Sequence, residues 1–257
     1  MHFALIGEKL GHSLSVPVHM AIFRLLGLRD TYELVEIPRP LFREKCTSLL
    51  RELDGLNVTI PYKKEIIPLL SDLDGPARDT MAVNTVFQGR GTNTDVTGFM
   101  TMLRSAGMDV ENQPCFVLGT GGAARAAACA LRKMRAASVT LVSRHPLPGQ
   151  TGYPQLPVCL RGFLINATPS GMAPDTEGCP IPAPDLSLCL SRVQGVVDLI
   201  YNPPETVLLR SARLRGIPCC NGLTMLIAQA VAAQEIWQGR SLDPGIIPAV
   251  FRALNLP

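Results

Sequence analysis

The chain has 257 residues, 47% apolar and 18% charged, which excludes a disordered chain and suffices for one large or two modest domains without a disulfide or metal staple. Lys and Arg number 24 against 21 Asp and Glu, a net charge of +3 that is too even to mark a nucleic-acid or anionic-membrane binder. The eight cysteines include no C-x-x-C and make no zinc spacing with the four histidines, so they read as small apolar filler in a reducing compartment, with no metal site.

In chain order, Phe3–Ile6 reads as a strand. It is too short, and too soon followed by Glu8 and Lys9, to serve as a secretion leader. Pro17–Leu26 reads as a helix, Tyr32–Ile37 as a strand, and Pro40–Leu53 as a helix with proline in its first turn. Leu56–Ile60 is a strand followed by a short helix after Pro61, and Val83–Phe87 is another strand. A helix from about Thr97 to Ala106 stops at Gly107. These β-α units imply a mostly parallel sheet. Residues 107–114 are polar and turn-rich, and a second alternation starts at Cys115. Phe116–Leu118, Val139–Val142, Phe163–Asn166 and Val196–Ile200 read as strands, Gly121–Met134 as a helix and Ala230–Trp237 as part of a late one. The longest uncharged stretch, Ile217–Gln234, carries Asn221, Thr224 and Gln229 and does not read as a membrane span. A cytoplasmic protein without membrane or nucleic-acid partners is expected. The halves differ in charge, with −1 over residues 1–100 and +4 over 101–257; the second sign suits an anionic ligand.

Between a strand and a helix lies Gly119-Thr120-Gly121-Gly122-Ala123-Ala124, a G-x-G-x-x-A pattern. Its first glycine permits a tight turn, its second lets backbone approach a pyrophosphate, and its small third residue lets helix pack on strand. A plain β-α turn or a methyltransferase turn shares the pattern. The next strand ends in Ser143-Arg144, where NAD sites carry an acid for the ribose hydroxyl. An arginine there pairs with a 2′-phosphate through two charged hydrogen bonds, so NADP is the expected cofactor; a solvated surface arginine is the alternative.

Four clusters of hydroxyls and amides fall at strand ends in the first half: Gly11–Ser15, Asn57–Lys63, Ala82–Thr85 and Gly91–Asp95. With one lysine and one aspartate among them they suit a small polyhydroxylated acid. Together with Asn166-Ala167-Thr168-Pro169, Gly171-Met172, Asp198–Tyr201 and Gly222–Gln229, they make the chain resemble the shikimate/quinate dehydrogenase family over nearly its whole length. The resemblance implies an α/β fold of two domains: a substrate domain (1–106), a Rossmann-like NADP domain (107–226), and C-terminal helices (227–257) returning to the first, with a cleft that opens and closes. It implies NADP(H)-dependent interconversion of 3-dehydroshikimate and shikimate, a step toward the aromatic amino acids, in a monomer or homodimer. Lys63 and Asp95 would handle the proton. Ser13 and Ser15 would bind the substrate carboxylate with help from Tyr201, and Thr59, Asn84, Asp95 and Gln229 the ring hydroxyls. Gly119, Thr120, Gly121, Gly122 and Ala123 would hold the pyrophosphate, and Arg144 the 2′-phosphate. Leu199, Gly222 and Met225 would line the nicotinamide pocket.

The chain departs from the family pattern in places. Val16 separates Ser15 from Pro17, Met20 replaces an asparagine, Val96 replaces a glycine, and Arg144 lacks a second basic residue close behind. Residues 145–162 hold Pro146, Pro148, Pro154 and Pro157. Since a proline inside a helix costs ~3 kcal/mol, a loop is expected there instead of a helix, shortening the NADP domain after Arg144. A quinate or dual quinate/shikimate dehydrogenase and a non-catalytic NADP-binding sensor are the alternatives.

Overall fold

The computed structural model describes residues 1–11 and 13–256; His12, a residue of the first polar cluster, lies outside them. The chain divides into two compact units, Met1–Gly98 with Leu226–Pro257, and Phe99–Met225.

The first unit holds strands β1 (His2–Gly7), β2 (Thr31–Glu36), β3 (Gly55–Val58), β4 (Asp72–Leu73), β5 (Thr85–Phe87) and β6 (Arg90–Thr92), with helices α1 (Ser15–Leu26), α2 (Phe42–Glu52) and α3 (Gly75–Thr80). Its sheet runs β2-β1-β3-β5-β6-β4. Strand β1 pairs parallel with β2 and β3, and β4 with β6, but β5 is antiparallel to both its neighbours. The sheet is parallel-rich, as expected, with three parallel pairings and the antiparallel β5 inserted between β3 and β6. The antiparallel part is a hairpin whose two turn residues, Gln88 and Gly89, have φ of 49° and 76°, the positive pair that a tight hairpin matching strand twist requires. No helix forms directly after Pro61; turns and a 3-10 segment at Ile67–Leu69 stand there.

Alternation along β1 divides the core between the two sheet faces. Ala4 and Ile6 pack with Phe42, Leu56, Val58 and Tyr62 on one face. Phe3 and Leu5 pack with Phe23, Tyr32 and Trp237 on the other.

Helix α4 (Asp95–Ser105) starts in the first unit and ends in the second. The second unit contains β7 (Pro114–Leu118), α5 (Gly122–Lys133), β8 (Ser138–Ser143), β9 (Thr151–Gly152), α6 (Leu156–Cys159), β10 (Gly162–Asn166), α7 (Ala183–Leu190), β11 (Val193–Asp198), α8 (Val207–Arg213) and β12 (Cys219–Cys220). All its pairings are parallel, in the order β12-β11-β10-β7-β8-β9. Counted within this unit, that is the six-strand order of a dinucleotide-binding fold. The proline-rich stretch is shortened as expected, yet it is no bare loop. No helix joins β8 to β9, but β9 adds two residues to the sheet edge and α6 forms one turn with Pro157 near its start, where proline is tolerated. Leu156 and Leu160, four residues apart, anchor the stretch in the core with Leu118, Val142 and Leu164.

The chain closes with α9 (Leu223–Gln238) and α10 (Ile246–Ala253). Trp237 explains why α9 belongs with β1. Its ring stacks on Phe3 at 4.2 Å, its indole N–H donates to the Val86 carbonyl at 3.1 Å, and Gly55 leaves it room, since a Cβ there would lie 2.5 Å from the indole nitrogen. No helix among the described residues is long and apolar enough to cross a membrane. All eight cysteines are free, and burial pushes the Cys46 thiol up to about 11 and that of Cys115 to about 12, so both stay protonated and inert.

Burial also lowers the His19 pKa from 6.5 to about 3, with the Asn57 side chain opposing it. Between those values the unfolded chain binds a proton that the folded chain refuses, so stability falls as pH drops through that window. Urea unfolding should show a loss on the order of 3 kcal/mol between pH 7 and 4 from this one group. His19→Gln should remove that part of the pH slope.

Candidate active site

The hairpin of β5 and β6 builds the densest polar cluster of the first unit. Thr85 pairs with Thr92 across it, which sets Asn84, just before β5, against Asn93–Asp95, just after β6. The Asn84 N–H donates to the Thr92 carbonyl at 3.0 Å, and the Val83 N–H donates to the Lys63 carbonyl at 2.7 Å, which brings Lys63 alongside. The Lys63 ammonium nitrogen then lies 2.6 Å from Asp95 Oδ2, with the two side chains only 16% and 10% exposed. The Asn84 amide donates to Asp95 Oδ1 at 2.8 Å and to Thr94 Oγ1 at 3.0 Å, while its oxygen accepts the Thr94 N–H at 2.7 Å. Asp95 is the first residue of α4, and its carboxylate is spent on Lys63 and Asn84. An ammonium held so closely by a carboxylate, with part of it open to solvent, is equipped to pass a proton.

Ser13 and Ser15 form a second small cluster at the start of α1. The Ser13 hydroxyl donates to Ser15 Oγ at 3.0 Å and accepts the Ser15 N–H at 3.2 Å. Thr59 is half-buried at the end of β3, its N–H donating to the Ile6 carbonyl. Gln229 lies on α9, where its amide donates to the Leu226 carbonyl of the same helix at 2.8 Å.

Lys63, Asn84 and Asp95 are thus joined directly, and Ser13 and Ser15 to each other. The sequence reading did not assign roles to Asn57, Asn93, Thr94 or Tyr32, all buried and hydrogen-bonded around this cluster. A signal was available for Asn57: it is the one amide in β3, all four residues of which are buried, and a buried amide must find partners.

In the second unit, the turn between β7 and α5 carries the glycine pattern. Gly119 has φ +106°, and a Cβ there would lie 3.1 Å from the Ala167 carbonyl oxygen. Gly121 has φ −73° and, among the described residues, nothing within 4 Å of a Cβ built on it. Neither its backbone nor its packing requires glycine. Its bareness leaves the first turn of α5, with Gly122 and Ala123, open to close approach, which fits a pyrophosphate bound by free helix N–H groups. Thr120 is exposed in the same turn. Arg144 is exposed directly after β8, in a turn where Ser143 Oγ accepts the His145 N–H at 3.1 Å.

Leu199 and Gly222 meet: the Gly222 N–H donates to the Ile200 carbonyl at 3.1 Å, and a Cβ on Gly222 would lie 2.0 Å from the Leu199 carbonyl oxygen. Met225 is buried in the first turn of α9, and Tyr201 is half-buried two residues after Leu199. Asp198 locks the end of β11. It accepts from Asn166 Nδ2 at 3.0 Å, Ile200 N–H at 3.1 Å and Thr206 Oγ1 at 2.7 Å. Burial raises its pKa and these bonds oppose the rise.

A family model described as shikimate dehydrogenase substrate binding domain matches residues 5–86. The chain is similar to shikimate dehydrogenase (NADP(+)) of Clostridium perfringens, with 34% identity over 270 residues and 98% of each chain covered. Among solved structures, it is similar to a chorismate mutase/shikimate 5-dehydrogenase fusion protein from Clostridium acetobutylicum, at TM-score 0.92 and 37% identity over 99% of this chain and 97% of that one. It is also similar to shikimate 5-dehydrogenase from Thermus thermophilus in complex with NADP(H) and shikimate, at TM-score 0.86 and 32% identity over 98% and 99%.

Proposed function

The chain belongs to the shikimate dehydrogenase family, and on that footing we propose that it interconverts 3-dehydroshikimate and shikimate with NADP(H). The observation that carries the reading is the 2.6 Å Lys63–Asp95 pair backed by Asn84. In the reducing direction the Lys63 ammonium donates its proton to the carbonyl oxygen that becomes the hydroxyl, and in the oxidising direction the amine takes that proton back. Asp95 keeps the ammonium aimed, and Asn84 keeps Asp95 in place. Ser13 and Ser15 hold the substrate carboxylate with Tyr201, and Thr59, Asn84, Asp95 and Gln229 hold the ring hydroxyls. When bound, NADPH supplies the hydride. Gly119, Thr120, Gly121, Gly122 and Ala123 hold its pyrophosphate, Arg144 its 2′-phosphate, and Leu199, Gly222 and Met225 line the nicotinamide pocket. A small-molecule substrate and cofactor in the cytoplasm are the only partners this reading requires, in a monomer or homodimer.

Steady-state kinetics with shikimate and quinate, each with NADP and NAD, test the proposal. The highest kcat/KM is expected for shikimate with NADP, and a preference for quinate with NAD overturns it. Arg144→Ala should raise the KM for NADP by about 10–100-fold, the worth of a charged bidentate contact, and leave the KM for NAD unchanged. Equal loss with both cofactors would remove Arg144 from the 2′-phosphate role.

A further inference from the structure

Asp198 is fully buried at the end of β11, directly opposite Asn166 at the end of β10. Its three partners, the Asn166 amide, the Ile200 N–H and the Thr206 hydroxyl, are all neutral and all donate to it. Three donors converging on one buried carboxylate hold it in a single geometry. The bond to Ile200, two residues on, closes a turn of the kind aspartate forms with its own backbone. It commits the Ile200 N–H, while the Ile200 carbonyl accepts the Gly222 N–H at 3.1 Å. Leu199, between Asp198 and Ile200, donates its N–H to the Asn166 carbonyl at 2.9 Å. On the other side, Asn166 Oδ1 accepts the Thr168 N–H at 3.0 Å and the Thr168 hydroxyl at 2.7 Å. Those bonds fix the turn through Ala167, whose carbonyl oxygen faces Gly119 of the glycine turn. The carboxylate therefore stands between the glycine turn and the Leu199–Gly222 contact, at the C-terminal strand ends where open α/β sheets gather their ligands.

We infer that Asp198 is a positioning residue for the nicotinamide half of the cofactor, holding the backbone of Leu199 and Ile200, and through Ile200 that of Gly222, in register with the glycine turn. The inference rests on the function proposed above. Asp198 touches neither ligand, since it is fully buried and both its oxygens are taken up by donors of the protein. The task requires an acceptor aimed at the Ile200 N–H, whether or not it is charged. Asparagine meets it, because its oxygen can accept from Asn166 and Ile200 while its amide donates to Thr206 Oγ1. Alanine does not.

Asp198→Ala and Asp198→Asn are compared with the wild type by the Kd for NADP, the Kd for adenosine 2′,5′-bisphosphate, kcat for shikimate oxidation and the melting temperature. The bisphosphate carries the adenosine and 2′-phosphate of the cofactor but no nicotinamide. Asp198→Ala should raise the Kd for NADP about three- to tenfold, the worth of one hydrogen bond, and lower kcat about 10–100-fold through a misplaced nicotinamide. It should leave the Kd for the bisphosphate unchanged. Asp198→Asn should bring the Kd for NADP and kcat back to within about threefold of the wild type. A melting temperature that falls in Asp198→Ala while NADP binding and kcat stay put assigns the carboxylate a merely structural role and overturns the inference. So does an equal loss of affinity for the bisphosphate, and so does an asparagine variant as impaired as the alanine one. Should Asp198→Ala fail to fold, Thr206→Val, which removes the donor to Asp198 Oδ2, is read in its place with the same split between NADP and the bisphosphate. Wild-type binding of NADP and turnover of shikimate are read first: their absence overturns the proposed function itself, whereas a missing split on an active background overturns only the role of Asp198.

Discussion

Lys63→Ala should lower kcat for shikimate oxidation by about 10²–10⁴-fold, the usual worth of a positioned proton donor or acceptor, with fold and NADP affinity retained. The fold should survive because Lys63 contributes little to the core: Tyr62 and Ile66 beside it are fully buried, whereas the Lys63 side chain keeps 16% of its surface. Asp95 loses its cation but keeps the 2.8 Å bond from Asn84. NADP affinity should survive because the residues proposed to bind it, the glycine turn and Arg144, belong to the other compact unit. Kinetics, a thermal melt and NADP binding, measured on the same preparation, separate these claims. Unchanged kcat in a folded variant would take the proton from Lys63 and leave the mechanism without its donor.

Gly222→Ala should be the most damaging single methyl group among the proposed cofactor-binding positions of the second unit. Its Cβ would stand 2.0 Å from the Leu199 carbonyl oxygen and 2.5 Å from the carbonyl carbon. Both are backbone, so the end of β11 or the start of α9 must move. Asp198 resists that motion, being tied to Asn166, Ile200 and Thr206. The expected loss of stability is about 2–4 kcal/mol, the range for overpacking against an unyielding neighbour, together with weakened cofactor binding. Gly121→Ala is the matched control. Open space surrounds its Cβ among the described residues and its φ suits any residue, so its melting temperature should stay within about 1 °C while NADP binding weakens. A melting temperature unchanged in Gly222→Ala as well would mean that the Leu199–Gly222 contact is loose.

The parts of the fold readable from sequence were those dictated by local chemistry. The glycine turn could be placed between β7 and α5 because the G-x-G-x-x-A pattern lies between a strand and a helix, and Gly119 there has φ +106°. The truncation after Arg144 followed from its prolines. What the reading lost was decided by partners distant in sequence. Phe87-Gln88-Gly89-Arg90 lacks the Asn-Gly or Asp-Gly signature of a tight hairpin, so the sequence shows the strand at Val83–Phe87 but not its antiparallel pairing with β6, which sets Asn84 against Asp95. The helix expected after Pro61 gave way to turns and the 3-10 segment Ile67–Leu69, with Pro68 inside it. Residues 153–160 contain Pro154 and Pro157, yet Leu156 and Leu160 find a core to enter and one turn forms. At the site, Lys63, Asp95 and the serines stood out through their neighbours in sequence. Tyr32 and Asn57 did not, because they belong to a hydrogen-bond network joining β2, β3 and the hairpin, and no local spacing encodes it.

The most direct test is a crystal structure of the chain with shikimate bound. The account predicts the substrate carboxylate on the Ser13 and Ser15 hydroxyls, and the hydroxyl to be oxidised within hydrogen-bond reach of both Lys63 Nζ and the Asp95 carboxylate. Shikimate bound with that hydroxyl turned away from Lys63, or with its carboxylate on Lys63 instead of the serines, would contradict it.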